Sequence, residues 1–359
     1  MQSITIGNNQ AGQRLDKFLR KYLPEAGSSF LYKMLRKKNI TLNGKKAEGK
    51  EMLSVGDQVC FFFSDETFAK FTGVPTAGNK KLSGISGNMT QENSFESERV
   101  SMGLSQYEKA YGSLQGIDVL YEDANVLILN KPAGILTQKA VPSDFSLNEW
   151  LIGYLLAKGA LDKEEFKTFH PSVCNRLDRN TSGIVLCGKS LAGSQTLSRV
   201  IKERTVRKFY RTICVGALQG DREITGYLGK DAATNKVTVC DKPRDGFSKI
   251  QTAYHPLCTS KDLTLLEVEL ITGRTHQIRA HLAQIGHPLI GDYKYGVKKI
   301  NDSMKKKYGL EAQLLHAYRI EFPEGETGVM YPLNGKSIVA PCPERFIKIQ
   351  EDLKLQHMV

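Results

Sequence analysis

The sequence of 359 residues has little that points to a membrane or a secreted protein. No run of 18 apolar residues occurs, which excludes a membrane-spanning helix. The N-terminus up to Gln10 is polar and lacks the apolar core of a signal peptide, so secretion is not expected. The seven cysteines are scattered, odd in number and without a C-x-x-C pair, which argues against a disulfide framework and the common zinc spacings. These absences predict reduced thiols in a cytoplasmic protein.

Motifs for cofactors and metals are also lacking. The chain has no convincing Rossmann glycine loop or phosphate-binding loop. The spacings between His276, His281 and His287 do not place the three side chains on one helix face, and no Asp or Glu ligand pattern joins them. We therefore expect no metal ion and no small-molecule cofactor.

Positive charge is abundant and unevenly distributed. Lys and Arg number 50 against 38 Asp and Glu, which gives a net charge of +12. Such a balance indicates a polyanionic partner, either nucleic acid or an anionic membrane surface. Residues 1–60 hold 11 basic and 5 acidic residues, so half of the excess lies in a sixth of the chain. Because this segment has no amphipathic membrane face, we interpret the charge as nucleic-acid binding.

Residues 1–66 are predicted to form a small module of two helices and a hairpin. Apolar residues recur at helical spacing from Leu15 to Leu23, and again from Leu31 to Leu35 after the cap candidates Ser28-Ser29. Asn43-Gly44 predicts a turn between short strands. A phosphate-binding surface is one interpretation of the basic residues on the second helix and across this turn, and a solvated helix face is the other. These residues are Lys33, Arg36, Lys37, Lys38, Lys45 and Lys46.

The remaining chain is predicted to contain a linker, a larger domain and a C-terminal extension. Residues 67–115 are rich in small and polar residues and predict a flexible linker. Strand patterns with a few helices between them fill 116–330, which indicates an α+β domain with a mixed, mainly antiparallel sheet. Residues 331–359 form the extension. The predicted strands are Val119–Tyr121, Val126–Leu129, Ile184–Cys187, Val206–Val215, Val237–Cys240 and Leu263–Ile271.

The most distinctive stretch is Arg176-Leu177-Asp178-Arg179-Asn180-Thr181-Ser182-Gly183, directly before an apolar strand. It places Asp178 in a loop at the edge of the sheet, shaped by hydroxyl groups and a permissive glycine. The flanking Arg176 and Arg179 favour an ionised Asp178, as a nucleophile requires. From residue chemistry alone, a solvated turn with surface ion pairs is the commoner structure.

Two further stretches carry candidate site residues. Strand alternation places Lys208 and Tyr210 on one sheet face, where an aromatic ring can stack on a base, although a half-buried core tyrosine is the commoner case. Thr275 is predicted to cap a helix that ends at Gly286. On that helix Arg279 lies at the edge of the buried stripe, where it needs a carboxylate partner.

Together these stretches resemble the RluA-type family of pseudouridine synthases, whose core signature is R-L-D-x-x-T-S-G. The ordered matches are Tyr121-Glu122-Asp123 with Leu129 to Gly134, Asn175 to Gly183, Lys208-x-Tyr210, Gly273 to Arg279, and Gly286 to Asp292. Residues 13–63 resemble the alpha-L (S-four-type) RNA-binding domain. The resemblance implies a pseudouridine synthase fold preceded by a small α/β RNA-binding domain.

The resemblance also implies an isomerase that breaks the N1–C1′ bond of uridine, turns the base and rejoins it through C5 without a cofactor. Asp178 is then the catalytic aspartate, Tyr210 packs against the target base, and Arg279 pairs with Asp178. Arg176, Arg179 and Lys208 are the candidate substrate-binding residues. The implied substrate is RNA, above all large-subunit ribosomal RNA, and we expect a monomer.

Two alternatives remain open at this point. One is a non-catalytic RNA-binding protein that retains the synthase fold, which the intact Asp178, Tyr210 and Arg279 argue against. The other is a nucleic-acid glycosidase or hydrolase, which is disfavoured because no second carboxylate accompanies Asp178 in its motif.

Overall fold

The computed structural model describes residues 2–72, 105–161, 166, 168–230 and 237–355. The chain divides into two compact units. The first comprises Met1–Ser113, Glu149–Ser172 and Gly188–Gln195, and the second Leu114–Asn148, Val173–Cys187 and Thr196–Val359. None of the helices in the described ranges combines the length and apolarity that crossing a lipid bilayer requires. All seven cysteines lie within the described ranges and are free thiols.

The first unit begins with a four-stranded antiparallel sheet and three helices around one apolar core. The helices are α1 (Leu15–Tyr22), α2 (Ser28–Arg36) and α3 (Asp65–Thr72), and the strands are β1 (Gln2–Thr5), β2 (Ile40–Leu42), β3 (Lys45–Lys46) and β4 (Gln58–Phe61). The sheet order is β1-β4-β2-β3. The predicted helix pair and hairpin are confirmed, with positive φ at both Asn43 and Gly44 in the turn. The predicted cap is wrong by one residue, since Gly27 precedes α2 at the N-cap.

The predicted linker at 67–115 is wrong at both ends. Helix α3 continues to Thr72, and its Phe71 lies against Phe30, with ring centroids 4.2 Å apart. Helix α4 spans 105–113, and its Tyr111 packs against Trp150 on α5 (Leu147–Ala157). Composition did not reveal these helices, because their few apolar residues contact partners distant in the sequence. Residues 73–104 of the predicted linker lie outside the described residues.

The second unit is built on an 11-stranded sheet. Its strands are β5 (Asp118–Glu122), β6 (Val126–Lys131), β7 (Ser172–Val173), β8 (Ser182–Gly188), β9 (Arg207–Val215), β10 (Arg222–Lys230), β11 (Val237–Cys240), β12 (Ser248–Thr259), β13 (Leu263–Leu270), β14 (Leu315–Glu321) and β15 (Ser337–Val339). The order is β11-β10-β12-β13-β9-β14-β8-β6-β5, with β15 on β14 and β7 on β8. Among the ten pairs in this sheet, seven have an antiparallel register in the described residues, and β8 pairs with β14 in parallel. The predicted mixed, mainly antiparallel sheet is confirmed, although the sequence patterns missed β7, β10, β12, β14 and β15.

The remaining helices are α6 (Leu191–Glu203), α7 (Gln277–Gln284), α8 (Lys298–Tyr308), α9 (Glu344–Asp352) and the 3₁₀ helix Gly328–Leu333. Residues assigned from sequence to an extension at 331–359 contribute to the second unit. Strand β15 extends the sheet, and Phe346 and Ile349 of α9 are fully buried in one apolar cluster with Ile213 and Leu265 of the sheet. The predicted division at residue 330 therefore does not coincide with a structural boundary.

Gly183, in the stretch that contains Asp178, lies where β8 pairs with β14 and no side chain fits. Its φ is +109°, and a Cβ atom there would lie 2.2 Å from the carbonyl oxygen of Ala317. We expect Gly183→Ala to lower the free energy of unfolding by about 3 kcal/mol, because β14 must move or the backbone must hold a strained conformation.

Urea unfolding measures this loss. Gly273→Ala is the matched control, because a Cβ atom at Gly273 meets no described atom within 4 Å. Its free energy of unfolding should stay within about 0.5 kcal/mol of the wild type. Equal stability of Gly183→Ala and the wild type would contradict the close pairing of β8 and β14.

Candidate active site

Asp178 lies in the loop that leads into β8, at a cavity in the second unit. Its carboxylate is 25% exposed. The Thr181 N–H donates to the Asp178 carbonyl at 3.0 Å and closes the loop. On the other side, the Thr137 hydroxyl accepts from the Leu177 N–H at 3.1 Å and donates to the Leu177 carbonyl at 2.8 Å. The backbone next to the carboxylate is therefore fixed from both sides.

A buried lysine provides a further anchor for this loop. Lys131 at the end of β6 is fully buried, and its Nζ donates to the carbonyls of Pro132, Ile135 and Arg179 at 3.0, 2.9 and 3.1 Å. Three carbonyl acceptors match the three protons of an ammonium group. Burial lowers the pKa of Lys131 to about 7, while the charge of Asp178 opposes this shift. In the sequence, Lys131 belongs to the matched motif Leu129 to Gly134, but no local signal there indicates its contact with the Asp178 loop.

Arg279 on α7 connects two carboxylates. Its Nη1 donates to Asp178 Oδ2 at 2.9 Å, the contact that the family resemblance implies. Its Nε and Nη2 donate to the two oxygens of Asp292 at 2.7 and 2.9 Å. Burial disfavours the charged guanidinium, but the bonds to Asp292 and Asp178 outweigh it and raise the pKa of Arg279. Asp178 thus faces a permanently charged partner.

Asp292 is the residue of this network that sequence analysis did not assign. Its carboxylate is fully buried, and Oδ1 also accepts the backbone N–H groups of Lys294 and Tyr295 at 2.9 and 3.2 Å. The signal available in the sequence was a Gly-Asp pair at the end of the apolar segment Pro288–Ile290, within the last of the matched motifs.

His276 lies between Asp178 and Tyr295. Its Nδ1 is 2.9 Å from Tyr295 Oη, and its Nε2 is 3.7 Å from Asp178 Oδ2. Burial lowers the pKa of His276, and Asp178 opposes that shift. The predicted cap at Thr275 is wrong, because His276 itself holds the N-cap position of α7 with φ 55° and no capping hydrogen bond from its side chain. The spacing of the histidines in the sequence bears on His276 only as a metal ligand, a role that it argues against.

Tyr210 on β9 forms a wall of the same cavity. It is 5% exposed, and burial together with the charge of Asp178 raises its pKa well above the ordinary tyrosine value. The cavity thus brings together Asp178, Tyr210 and Arg279, which lie far apart in the sequence. Other lining residues are Arg176, Thr181, Leu270, Arg274, His276 and Leu315.

The other predicted site residues lie elsewhere. The exposed Arg179 donates from Nε to the carbonyl of Gly134 at 3.1 Å, so its guanidinium binds the loop after β6. Lys208 is half-buried in a second, smaller cavity beside Asn175 and Tyr210, and burial lowers its pKa. The six predicted basic residues of the first unit are all exposed, on α2, directly after it, and on β3: Lys33, Arg36, Lys37, Lys38, Lys45 and Lys46.

Ser182, which follows the Asp178 loop, binds a buried histidine. His316 Nδ1 is 2.8 Å from the Ser182 hydroxyl, and His316 Nε2 is 3.1 Å from the carbonyl oxygen of Ala340. Because a carbonyl oxygen only accepts, Nε2 carries the proton and Nδ1 accepts from the hydroxyl. Burial lowers the pKa of His316 to about 4, so the imidazole is neutral in the folded protein near pH 7.

We expect the free energy of unfolding to fall as the pH decreases from 6.5 towards 4. In this window the unfolded histidine is protonated while folded His316 stays neutral, so the unfolded state binds more protons. The contribution of neutral His316 to the free energy of unfolding is fully present above pH 6.5 and is lost towards pH 4. For a pKa lowered from 6.5 to about 4, this contribution is about 3 kcal/mol. His281, buried against Thr252, has a pKa of about 4 for the same reason and adds to the decline.

Urea unfolding at stepwise pH measures this decline. His316→Asn should be less stable at pH 7 but decline less steeply below pH 6.5. The exposed His255 offers the control, and His255→Asn should follow the wild-type curve. An unaltered decline in His316→Asn would contradict the neutral buried imidazole.

Known proteins resemble this chain over most of its length. The family described as RNA pseudouridylate synthase matches residues 125–284, which contain Asp178, Tyr210 and Arg279. Ribosomal large subunit pseudouridine synthase C of Rickettsia bellii is 32% identical over 83% of this chain and 87% of its own. Ribosomal large subunit pseudouridine synthase D of Neisseria meningitidis is 28% identical over 98% of this chain and 82% of its own. The solved structure of human RNA pseudouridylate synthase domain containing 4 matches with a TM-score of 0.54 and 22% identity, over 70% of this chain and 97% of that one.

The mixed sheet around the Asp178 cavity therefore has the fold of a pseudouridine synthase. The chain belongs to the RluA-type family of RNA pseudouridine synthases. It is accordingly an isomerase that acts on RNA, as the sequence resemblance predicted.

Proposed function

We propose that this protein isomerises specific uridines of large-subunit ribosomal RNA in the cytoplasm, as a monomer and with Asp178 as the catalytic carboxylate. The relatives from Rickettsia bellii and Neisseria meningitidis, both named for the ribosomal large subunit, match most of this chain and most of their own length. The observation that carries the assignment of the site is the buried Arg279, which binds Asp178 in a cavity walled by Tyr210.

The reaction needs one ionised carboxylate beside the sugar. The N1–C1′ bond breaks, the base turns, and C5 forms the new bond to C1′. C5 then loses its proton and N1 gains one, so the reaction is an isomerisation without net redox change. Asp178 serves either by attacking C1′ or by removing the C2′ proton, and the contact with Arg279 holds the carboxylate in place for both routes.

The target base must leave its stack to reach the cavity. Unstacking the base costs a few kcal/mol of free energy, and this cost is lowest in loops and unpaired segments of RNA. Tyr210 offers an aromatic wall for the base. Arg176 lines the cavity with an exposed guanidinium and is the candidate to hold the flipped nucleotide or its vacated place.

Within this proposal, residues 13–63 are the alpha-L RNA-binding domain. Its support is the helix pair and hairpin of the first unit, which expose the six basic residues named above. Exposed lysines on a rigid module bind RNA phosphates and release counterions. This module adds affinity that does not depend on the reacting nucleotide.

We expect the triple variant Lys37→Ala, Lys45→Ala and Lys46→Ala to bind RNA more weakly and with a flatter salt dependence. Each lost phosphate contact lowers the slope of log K against log salt by about 0.7–0.9. The measurement is a binding titration at several salt concentrations. Lys261→Ala, Lys348→Ala and Lys354→Ala remove the same charge from exposed sites of the second unit and form the control. If both triple variants changed the slope of log K against log salt equally, the effect would come from net charge and not from a phosphate-binding surface on the first unit.

The proposed substrate is tested by mapping pseudouridines in ribosomal RNA from cells with and without this protein. The expected result is the loss of pseudouridine at one or a few discrete positions of the large-subunit RNA. An unchanged map, with RNA binding retained, would favour a non-catalytic RNA-binding protein.

A further inference from the structure

We infer that His276 is a positioning residue of the isomerisation: its imidazole orients the Asp178 carboxylate, and its protonation withdraws that carboxylate from the reaction. The inference rests on the proposed role of Asp178 as the catalytic carboxylate. It adds a second group, besides Arg279, that acts on the same carboxylate oxygen.

The carboxylate that faces Nε2 favours one tautomer of His276. Tyr295 Oη accepts the backbone N–H of Val237 at 3.1 Å and can donate its own proton to His276 Nδ1 at 2.9 Å. Nε2 then carries the imidazole proton and faces Asp178 Oδ2 at 3.7 Å. The opposite tautomer would point a lone pair at a carboxylate. At 3.7 Å the contact is electrostatic and not yet a hydrogen bond, so a small rotation of either side chain closes it.

The backbone holds His276 in a conformation that side chains rarely adopt. Its φ of 55° is in the left-handed region, which few residues other than glycine adopt. The next residue, Gln277, fixes this geometry because its buried amide accepts from Thr272 Oγ1 and from the Arg274 N–H and donates to the Gln251 carbonyl. Strain of this kind persists where neighbouring contacts over-determine it, and it concentrates at functional sites.

The charges around His276 decide what protonation does. Burial disfavours the imidazolium, Asp178 favours it and Arg279 opposes it, so the pKa of His276 is lowered overall. The ring is therefore mostly neutral at pH 7. On acidification it becomes an imidazolium beside Asp178, and the new ion pair competes with attack on the sugar. The charged and titratable groups that face His276 are Asp178 from the loop before β8, Arg279 on α7, and Asp292, Lys294 and Tyr295 between α7 and α8. Arg176 and Arg274 line the same cavity.

Two variants separate orientation from titration. His276→Gln places an amide donor near the position of Nε2 but does not titrate. His276→Asn tolerates the left-handed backbone and reaches only as far as Nδ1, so it loses the donor towards Asp178. Single-turnover release of tritium from C5-labelled uridine in RNA, measured from pH 4.5 to 8 at saturating protein, gives the rate. Circular dichroism and RNA affinity establish that each variant is folded and binds.

The wild-type rate should fall on the acid side, below pH 6.5. His276→Gln should keep the plateau within about threefold and lose this fall, whereas His276→Asn should be about 10-fold to 100-fold slower at every pH with unchanged RNA affinity. A wild-type acid fall that persists in His276→Gln, or a wild-type rate in His276→Asn, overturns the inference. An active Asp178→Asn overturns the proposed function and this inference together. An inactive Asp178→Asn with unaltered His276 variants overturns this inference alone.

Discussion

Replacing Asp178 by asparagine should abolish uridine isomerisation, with a single-turnover rate lower by at least about three orders of magnitude. Asparagine has nearly the same shape but lacks the charge that attack on C1′ or removal of the C2′ proton requires. Arg279 remains held by the two oxygens of Asp292, so the cavity keeps its form. RNA affinity should stay nearly unchanged, because phosphate contacts supply most of it.

The rate is measured by digesting the RNA to nucleosides and quantifying pseudouridine by chromatography, with RNA binding determined in parallel. Asp302→Asn removes an exposed carboxylate in α8 and is the matched control, with wild-type activity expected. Full activity in Asp178→Asn would reject its role as the reacting carboxylate. A loss of RNA binding equal to the loss of rate would mean that the carboxylate acts in binding instead.

Replacing Asp292 by asparagine should damage both stability and catalysis. The carboxylate of Asp292 is fully buried and binds two nitrogens of Arg279. An amide there presents its own N–H group to one of the two guanidinium donors and leaves a buried charge partly uncompensated. Breaking a buried pair in this way costs about 3–5 kcal/mol of the free energy of unfolding.

The catalytic loss follows from Arg279, which moves when its second carboxylate is lost and no longer fixes Asp178. A displacement of about 1 Å at such a contact lowers a rate by roughly a hundredfold. Urea unfolding and single-turnover rates measure the two effects, and Asp302→Asn should change the free energy of unfolding by no more than about 0.5 kcal/mol. Wild-type rate and stability in Asp292→Asn would contradict the network of Asp178, Arg279 and Asp292.

Much of the fold could be predicted from the sequence, because most helices and strands have a recognisable local pattern of apolar and turn residues. The helices around Leu15 and Leu31 and the turn at Asn43-Gly44 follow from periodicity and turn chemistry, and the structure contains them. Helices α3 and α4 were missed because their residues are polar apart from a few aromatic rings. Those rings pack on side chains that are distant in the sequence, such as Phe30 and Trp150. The local sequence pattern does not show which distant residue a ring will contact.

The site was predictable to the extent that it follows one motif. Asp178 could be singled out from its stretch, and the resemblance supplied Tyr210 and Arg279. Asp292 and Lys131 could not be assigned from spacing, since a buried charge is recognised only by the partners that tertiary structure brings to it. For that reason neither the lysine at the end of an apolar strand nor the aspartate after a glycine could be recognised as part of the site.

The most direct test is tritium release from large-subunit ribosomal RNA labelled at C5 of uridine. Formation of the C5–C1′ bond expels the C5 hydrogen, so each pseudouridine formed releases one label to water. The wild type should release an amount that corresponds to a few uridines per RNA molecule, and Asp178→Asn should release none at the same RNA occupancy. Equal release by the two proteins, or no release by the wild type, would contradict an isomerase that acts through Asp178.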